Sequence, residues 1–178
     1  MALFIKKQIA KRYQINWMNA SILQDHRISG GNDVEVLDML LKTYLHGGTA
    51  VEIGTSRGVG AAVLAHYADR VITFDPKPQS KKASELWDYL GVSDRIEQRI
   101  VHGDVADVSG IDFQFALVDG NHAAEHVRMD FDAVKHCGMV MFHDYGDTRQ
   151  PGVKKVVDGI VDPGEKLLMP PYALWMAP

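Results

Sequence analysis

Apolar residues at Val36, Leu37, Leu40, Leu41 and Leu45 fall three and four positions apart, the spacing of one helix face. Ahead of them Asn32-Asp33-Val34-Glu35 resembles a helix cap with Glu at its third position, and Gly47-Gly48 ends the run. The pattern then changes period. Thr49–Ile53 reads as a strand running into a glycine-rich turn, residues 59–67 are small and apolar enough for a helix packed on a sheet, and residues 71–74 form a second strand that ends at Asp75-Pro76. A helix over 80–90, stopped by Gly91, leads to a third strand over 95–101 and a fourth over 113–118. A helix over 123–136, a fifth strand at Met139–Phe142 and a short helix from Pro151-Gly152 to residue 160 follow, with a hairpin-like pair of strands at 166–169 and Tyr172–Met176. Strands alternating with helices predict a single-domain α/β fold, a doubly wound and mostly parallel sheet.

Composition narrows the function. With 178 residues, 46% of them hydrophobic and 24% charged, the chain suits one ordinary soluble domain over its whole length, without a linker or repeat. A formal net charge of -4 supplies no electrostatic footprint for nucleic acid, so no nucleic-acid partner is expected. The single cysteine, Cys137, points to a reducing compartment and a cytoplasmic location. No apolar run is long enough for a transmembrane segment, and the start, MALFIKKQIAKRYQINW, has its apolar residues before its charges, the reverse of a secretory signal. Within it Lys6, Lys7, Lys11 and Arg12 alternate with Phe4, Ile5, Ile9 and Tyr13. Residues 1–31 are therefore expected to form a helical extension packed on the domain or on a second copy, as in a homodimer.

In a doubly wound sheet, chemistry sits at the carboxyl ends of the strands. The first end reads Glu52-Ile53-Gly54-Thr55-Ser56-Arg57-Gly58-Val59-Gly60, where glycines let the backbone turn tightly and approach a ligand. This is not the G-x-G-x-x-G of a dinucleotide site, and an acid ahead of the first glycine suits a ligand with an amino group and no pyrophosphate. About 20 residues on, Asp75 can accept both hydroxyls of a ribose. The third end carries His102-Gly103-Asp104-Val105, whose acid can accept from an exocyclic amine. Together these describe a site for an adenosine with an amino-acid tail. The fourth end lies in FALVDGNHAAEH, which can be read in two ways. Its last five residues spell H-x-x-E-H, a zinc hydrolase pattern through His122, Glu125 and His126; its first half is a strand ending in a carboxylate, Asp119.

From residue 32 onward the chain resembles a class I S-adenosylmethionine-dependent methyltransferase, a family whose sheet has seven strands with an antiparallel last strand. The resemblance implies cofactor contacts from Glu52, Gly54, Thr55, Ser56 and Gly58 around the methionine, from Asp75 and Pro76 at the ribose, from Asp104 and Val105 at the adenine, and from Asp119. D-G-x-H at the fourth strand end and F-H-D at the fifth resemble small O-methyltransferases of the catechol and macrocin type. In catechol-type members an Asp and an Asp-Asn pair bind Mg²⁺ and a Lys is the base. Here His122 stands at the Lys position and His143-Asp144 at the pair. The implied roles are Asp119, His143 and Asp144 for Mg²⁺, for Mn²⁺ or Fe²⁺ in its place, or for no metal at all, and Asp119, His122 and His143 for catalysis, with a neutral His122 taking a proton near pH 7. The expected acceptor is a small molecule or glycoside hydroxyl, met by Ser29-Gly30-Gly31 and residues 145–150, among them Tyr145 and Arg149. A nucleotide-dependent oxidoreductase and a non-catalytic S-adenosylmethionine-binding module are the other readings.

Overall fold

In the computed structural model, which describes residues 33–178, strands and helices alternate around one seven-stranded sheet. The elements are α1 (Asp33–Tyr44), β1 (Thr49–Ile53), α2 (Val59–Leu64), β2 (Arg70–Asp75), α3 (Lys81–Leu90), β3 (Ile96–Ile100), β4 (Phe115–Val118), α4 (Ala124–Val134), β5 (Met139–Phe142), α5 (Pro151–Asp158), β6 (Glu165–Met169) and β7 (Tyr172–Met176). The expected extension over 1–31, the Asn32 cap and Ser29-Gly30-Gly31 lie outside the described residues. Among those described, no helix is long and apolar enough to cross a membrane.

The strands lie in the order β3-β2-β1-β4-β5-β7-β6. Strands β1 to β5 pair in parallel, whereas β7 is antiparallel to both β5 and β6. Strands covered on both faces need apolar side chains at nearly every position, which is why TAVEI, FALV and MVMF read as runs rather than alternations. One face packs α1, α2 and α3 through Leu41, Leu45, Leu64 and Trp87; the other packs α4 and α5 through Phe131, Val134 and Val156. Phe131 meets both Phe142 and Trp175, at 5.7 and 5.1 Å between ring centroids. The connection over 101–114 contains no regular element, and it covers the sheet with buried Ala106, Val108 and Phe113.

Element ends differ from the sequence expectation where side chains take over backbone duties. Strand β4 starts at Phe115 rather than 113, since the Gln114 side chain accepts from Thr49 N–H at 3.1 Å and donates to the Gly47 carbonyl at 2.7 Å. Helix α2 stops at Leu64 rather than 67; the turn after it carries Asp69 to the Gly48 N–H, at 2.7 Å. Helix α4 ends at Val134, passing into a 3-10 turn closed by Gly138 at φ 86.

Register assembles the site. Ile53 pairs with Phe74 and with Val118, and Val118 pairs with Phe142. Gly54, Asp75, Asp119 and His143 therefore each stand one residue beyond a paired position, at one level along the carboxyl edge. The strand order reverses between β1 and β4, so this level is also the place where a crevice opens.

Candidate functional site

The β1–α2 loop is shaped by close backbone contact. Gly54 has φ 104, and a Cβ there would lie 2.1 Å from the Asp119 carbonyl oxygen. Ser56, at φ 47, donates its N–H to Asp75 Oδ2 at 3.0 Å, while Asp75 Oδ1 accepts the Lys77 N–H at 2.9 Å. The Asp75 carboxylate is thereby aimed before any ligand arrives, with further lone pairs to offer.

Glu52 occupies a different place from the one its sequence position suggested. It is 1% exposed, beneath the loop, and is absent from the cavity wall. Thr73 Oγ1 donates to its Oε2 at 2.5 Å, Thr55 and Thr73 hydroxyls meet at 2.7 Å, and a Cβ on Gly60 would lie 2.0 Å from Oε1. Burial pushes the Glu52 carboxyl well above its ordinary value, with hydrogen bonds from Thr73 and the Ala61 N–H offsetting part of that. Glu52 is thus a buried strut under the loop. Thr55 and Gly58 likewise shape the turn, the latter accepting from Trp87 Nε1 at 2.7 Å, and neither they nor Val105 are on the wall.

The cavity beside the loop has a volume of about 780 Å³, ample for a nucleoside-sized ligand. Of the residues singled out in the sequence, Gly54, Ser56, Asp75, Pro76, Asp104, Asp119 and His122 line it. Lys77, Gln98, Ala106, His126 and Asp130 line it too, and these had no strand-end signal to mark them.

Beside this cleft stand four titratable groups, of which Asp119 and His122 line its wall and His143 and Asp144 do not. Asp119 follows β4, with its N–H on the Ile53 carbonyl at 2.8 Å, and His143 follows β5, with its N–H on the Val118 carbonyl at 3.1 Å. His143 Nδ1 is 3.0 Å from Asp119 Oδ1; His122 Nε2 is 3.0 Å from Asp144 Oδ2 and 3.4 Å from Asp119 Oδ1. Asp144 reaches the cluster from a left-handed backbone, φ 58. His122 is carried by a loop turn in which Asn121 Oδ1 accepts the Ala123 N–H at 3.0 Å. Gly152, at the start of α5, packs so closely that a Cβ there would lie 2.2 Å from the His122 carbonyl.

The charges in the cluster are interdependent. Burial works against ionising Asp119, yet His122 and His143 more than offset it and hold the carboxyl below its ordinary value. The Asp119 and then the Asp144 carboxylates raise His122 from 6.5 to about 9. The Nε2 atom is buried between these two carboxylates, whose hydrogen bonds raise the ring first and whose charges add to them. The expectation of a neutral His122 at pH 7 is therefore corrected: two carboxylates keep this ring protonated. One donor atom each from Asp119, His143 and Asp144 lies within 4.8 Å of the others.

H-x-x-E-H does not form a helical pair. Helix α4 begins at Ala124, two residues past His122, and among the described residues the gathered donors are Asp119, His143 and Asp144 instead. Tyr145 and Arg149 are engaged elsewhere: the Tyr145 hydroxyl donates to Asp158 Oδ1 at 3.0 Å, and Arg149 forks onto Asp147. Asp104 is exposed on the cavity rim.

Asp130 was missed by sequence reasoning. The one available signal was an acid among Val127, Phe131 and Val134 on the inward face of α4. It is 4% exposed, and burial pushes its carboxyl from 3.8 up to about 6, with the His126 charge acting in the opposite sense. A carboxyl raised on folding contributes stability that is fully present below the unfolded value and is lost as pH rises through the folded one, here between about 4 and 6. Asp130→Asn mimics the protonated form. It is expected to exceed the wild type by about 3 kcal/mol at pH 7, with the gap closing toward pH 4; urea unfolding at both pH values checks this, and a pH-independent gap would refute it.

A family model described as a methyltransferase domain matches residues 51–145. A search of curated proteins found no match. Solved structures with the same fold include a methyltransferase from Geobacter sulfurreducens, at 16% identity over 99% of this chain and 90% of that one, TM-score 0.63. A candidate caffeoyl-CoA O-methyltransferase from Staphylococcus aureus matches at 15% identity over 97% and 99%, TM-score 0.64. An rRNA methylase from Streptococcus thermophilus matches at 17% identity over 80% and 94%, TM-score 0.61.

Proposed function

Since the chain belongs to the methyltransferase-domain family and is an S-adenosylmethionine-dependent enzyme, we propose that its reaction is O-methylation of a hydroxyl on a small molecule or glycoside, with a divalent cation beside the acceptor. The observation that carries this reading is the Asp119–His122–His143–Asp144 cluster beside the glycine-loop cavity. The net charge of -4 favours a small acceptor over nucleic acid.

The residues present fit the cofactor. The cavity is large enough, and the Asp75 carboxylate is already held by two backbone N–H groups in the position from which it would accept ribose hydroxyls. S-Adenosylmethionine, when bound, supplies a methyl group already activated by its sulfonium charge. Asp119, His143 and Asp144 also fit a cation, being two hard oxygen donors and an imidazole in reach of one another; a cation held there would act as a Lewis acid on the acceptor oxygen.

His122 is the proposed base, accepting the hydroxyl proton when its ring is neutral, with Nε2 turned to Asp119 and Asp144. Those carboxylates stabilise the imidazolium that results. They also limit the neutral fraction available to start the reaction, so turnover depends on how far their charge is drawn to other partners.

Calorimetric titration of chelator-treated protein with S-adenosylmethionine and its demethylated product, with and without Mn²⁺, tests the reading. Both are expected to bind, the product more tightly, and Mn²⁺ is expected to bind the wild type but not Asp144→Asn. Cofactor binding with no Mn²⁺ binding would remove the cation from the proposal. A folded protein that binds neither compound would refute it altogether.

A further inference from the structure

A parallel strand reaches the carboxyl edge of the sheet with its last residue, whereas β7, antiparallel to β5, leaves that edge with its first. Phe142 pairs with Ala173, so His143, one residue further along the chain, and Tyr172, one residue before Ala173, stand opposite each other. The two chains stay together beyond the strands, where the Tyr145 N–H donates to the Pro171 carbonyl at 2.9 Å. The Tyr172 ring lies against the His143 imidazole, with 4.9 Å between ring centroids and 43° between the planes. Tyr172 is 4% exposed and belongs to the same buried cluster as Leu174, Met141 and Leu41. Its ring is therefore a fixed wall beside a histidine that the cluster of titratable groups depends on.

His143 is held from two other directions. Its main chain is fixed by the N–H on the Val118 carbonyl, at 3.1 Å, and its Nδ1 is 3.0 Å from Asp119 Oδ1. A carboxylate can only accept, so the proton of that bond is on Nδ1, and the lone pair of the neutral ring is on Nε2. A hydrogen bond at one ring atom fixes a point, about which the imidazole can still tilt. An anchored aromatic face beside it fixes the plane as well. Strand order along the chain gives no reason for a tyrosine here; only the reversal of β7 brings one to the reacting edge.

We propose that Tyr172 is a positioning residue for the reaction centre, its ring holding the His143 imidazole in the plane that keeps Nδ1 on Asp119 and makes Nε2 the lone-pair atom for a cation. The assignment rests on the reading of Asp119, His143 and Asp144 as the groups beside the acceptor. It makes the antiparallel end of the sheet part of the site, and it assigns the work to the aromatic ring of Tyr172.

The test has two readouts on wild type, Tyr172→Phe and Tyr172→Leu. Long-range ¹H–¹⁵N imidazole spectra of the metal-free proteins at alkaline pH report which nitrogen of His143 carries the proton, with His143→Ala identifying the signal. Calorimetry reports the affinities for Mn²⁺ and for S-adenosylhomocysteine. Wild type and Tyr172→Phe are expected to show a single Nδ1–H tautomer, and Tyr172→Leu a mixture of the two. Mn²⁺ affinity should fall on the order of 10- to 100-fold in Tyr172→Leu, the usual cost of losing a group that orients a ligand, and stay near the wild-type value in Tyr172→Phe. Affinity for S-adenosylhomocysteine should be unchanged in both, which general damage to the fold would not allow. A wild-type His143 protonated on Nε2 would overturn the assignment without any variant. So would a Tyr172→Leu protein with the wild-type tautomer and Mn²⁺ affinity, one that loses S-adenosylhomocysteine as strongly as Mn²⁺, or a Tyr172→Phe protein as impaired as Tyr172→Leu. A wild type that binds no Mn²⁺ would instead remove the cation from the proposed function, and the tautomer spectra would then decide the role of Tyr172 by themselves.

Discussion

His122→Asn is expected to lower kcat by about 10²- to 10⁴-fold, the usual effect of removing a general base, while affinity for S-adenosylhomocysteine changes by less than about threefold. The split matters more than the size. His122 sits on a loop between β4 and α4, with its carbonyl packed on Gly152 and its ring facing Asp119 and Asp144. Asparagine keeps a polar group against the two carboxylates but cannot take a proton. If His122 served only to satisfy those carboxylates, the variant would turn over normally. A fall in cofactor affinity matching the fall in kcat would place the residue in the pocket's structure rather than in proton transfer. Rapid-quench measurement of the methyl-transfer step in parallel with calorimetry separates the three cases.

The largest effect on structure is expected from Gly54→Ala. The new Cβ would lie 2.1 Å from the Asp119 carbonyl oxygen, 2.6 Å from its carbonyl carbon and 2.9 Å from the Gly120 nitrogen, all of them backbone atoms that no rotamer change can move. The backbone at residue 54, φ 104, is moreover one that side-chain-bearing residues rarely adopt. The β1 loop and the end of β4 must separate, carrying Asp119 away from the cavity. Stability should fall by roughly 3 kcal/mol or more, and S-adenosylhomocysteine affinity at least about tenfold. Gly91→Ala is the control: φ is 67 but nothing lies within 4 Å of its Cβ position, so only about 1 kcal/mol of backbone strain is expected, with binding intact. Equal losses in the two variants would show that the Gly54–Asp119 contact is unimportant.

Both predictions depend on residues of different kinds of visibility. Gly54 announced itself, since a glycine after a strand and before a helix has few other reasons to be there. Asp75 and Asp119 were visible for a related reason, as carboxylates following apolar runs. Glu52 looked similar but was misplaced. Its side chain points into the sheet–helix layer, where Thr73 and the Ala61 N–H satisfy it, and only the partner strand reveals that. Asp130 was invisible because an acid at one turn of an amphipathic helix looks like any solvated residue until the cavity next to it is known.

Local pattern alone determined the alternation of strands and helices, the doubly wound sheet and the set of acids at the strand ends, and the family resemblance added the reversed last strand. Each of those features depends on residues within a few positions of one another, or on a family resemblance carried by short motifs. Tertiary structure alone decided which of the acids meet. The approach of His122 to Asp144, and of His143 to Asp119 across 24 positions, follows from the pairing of Ile53 with Val118 and Val118 with Phe142. The protonation of His122 and the raised carboxyls of Glu52 and Asp130 follow in turn from burial and from groups brought close by that register. Charge interaction and desolvation depend on distance in space, which the order of residues along a chain does not specify.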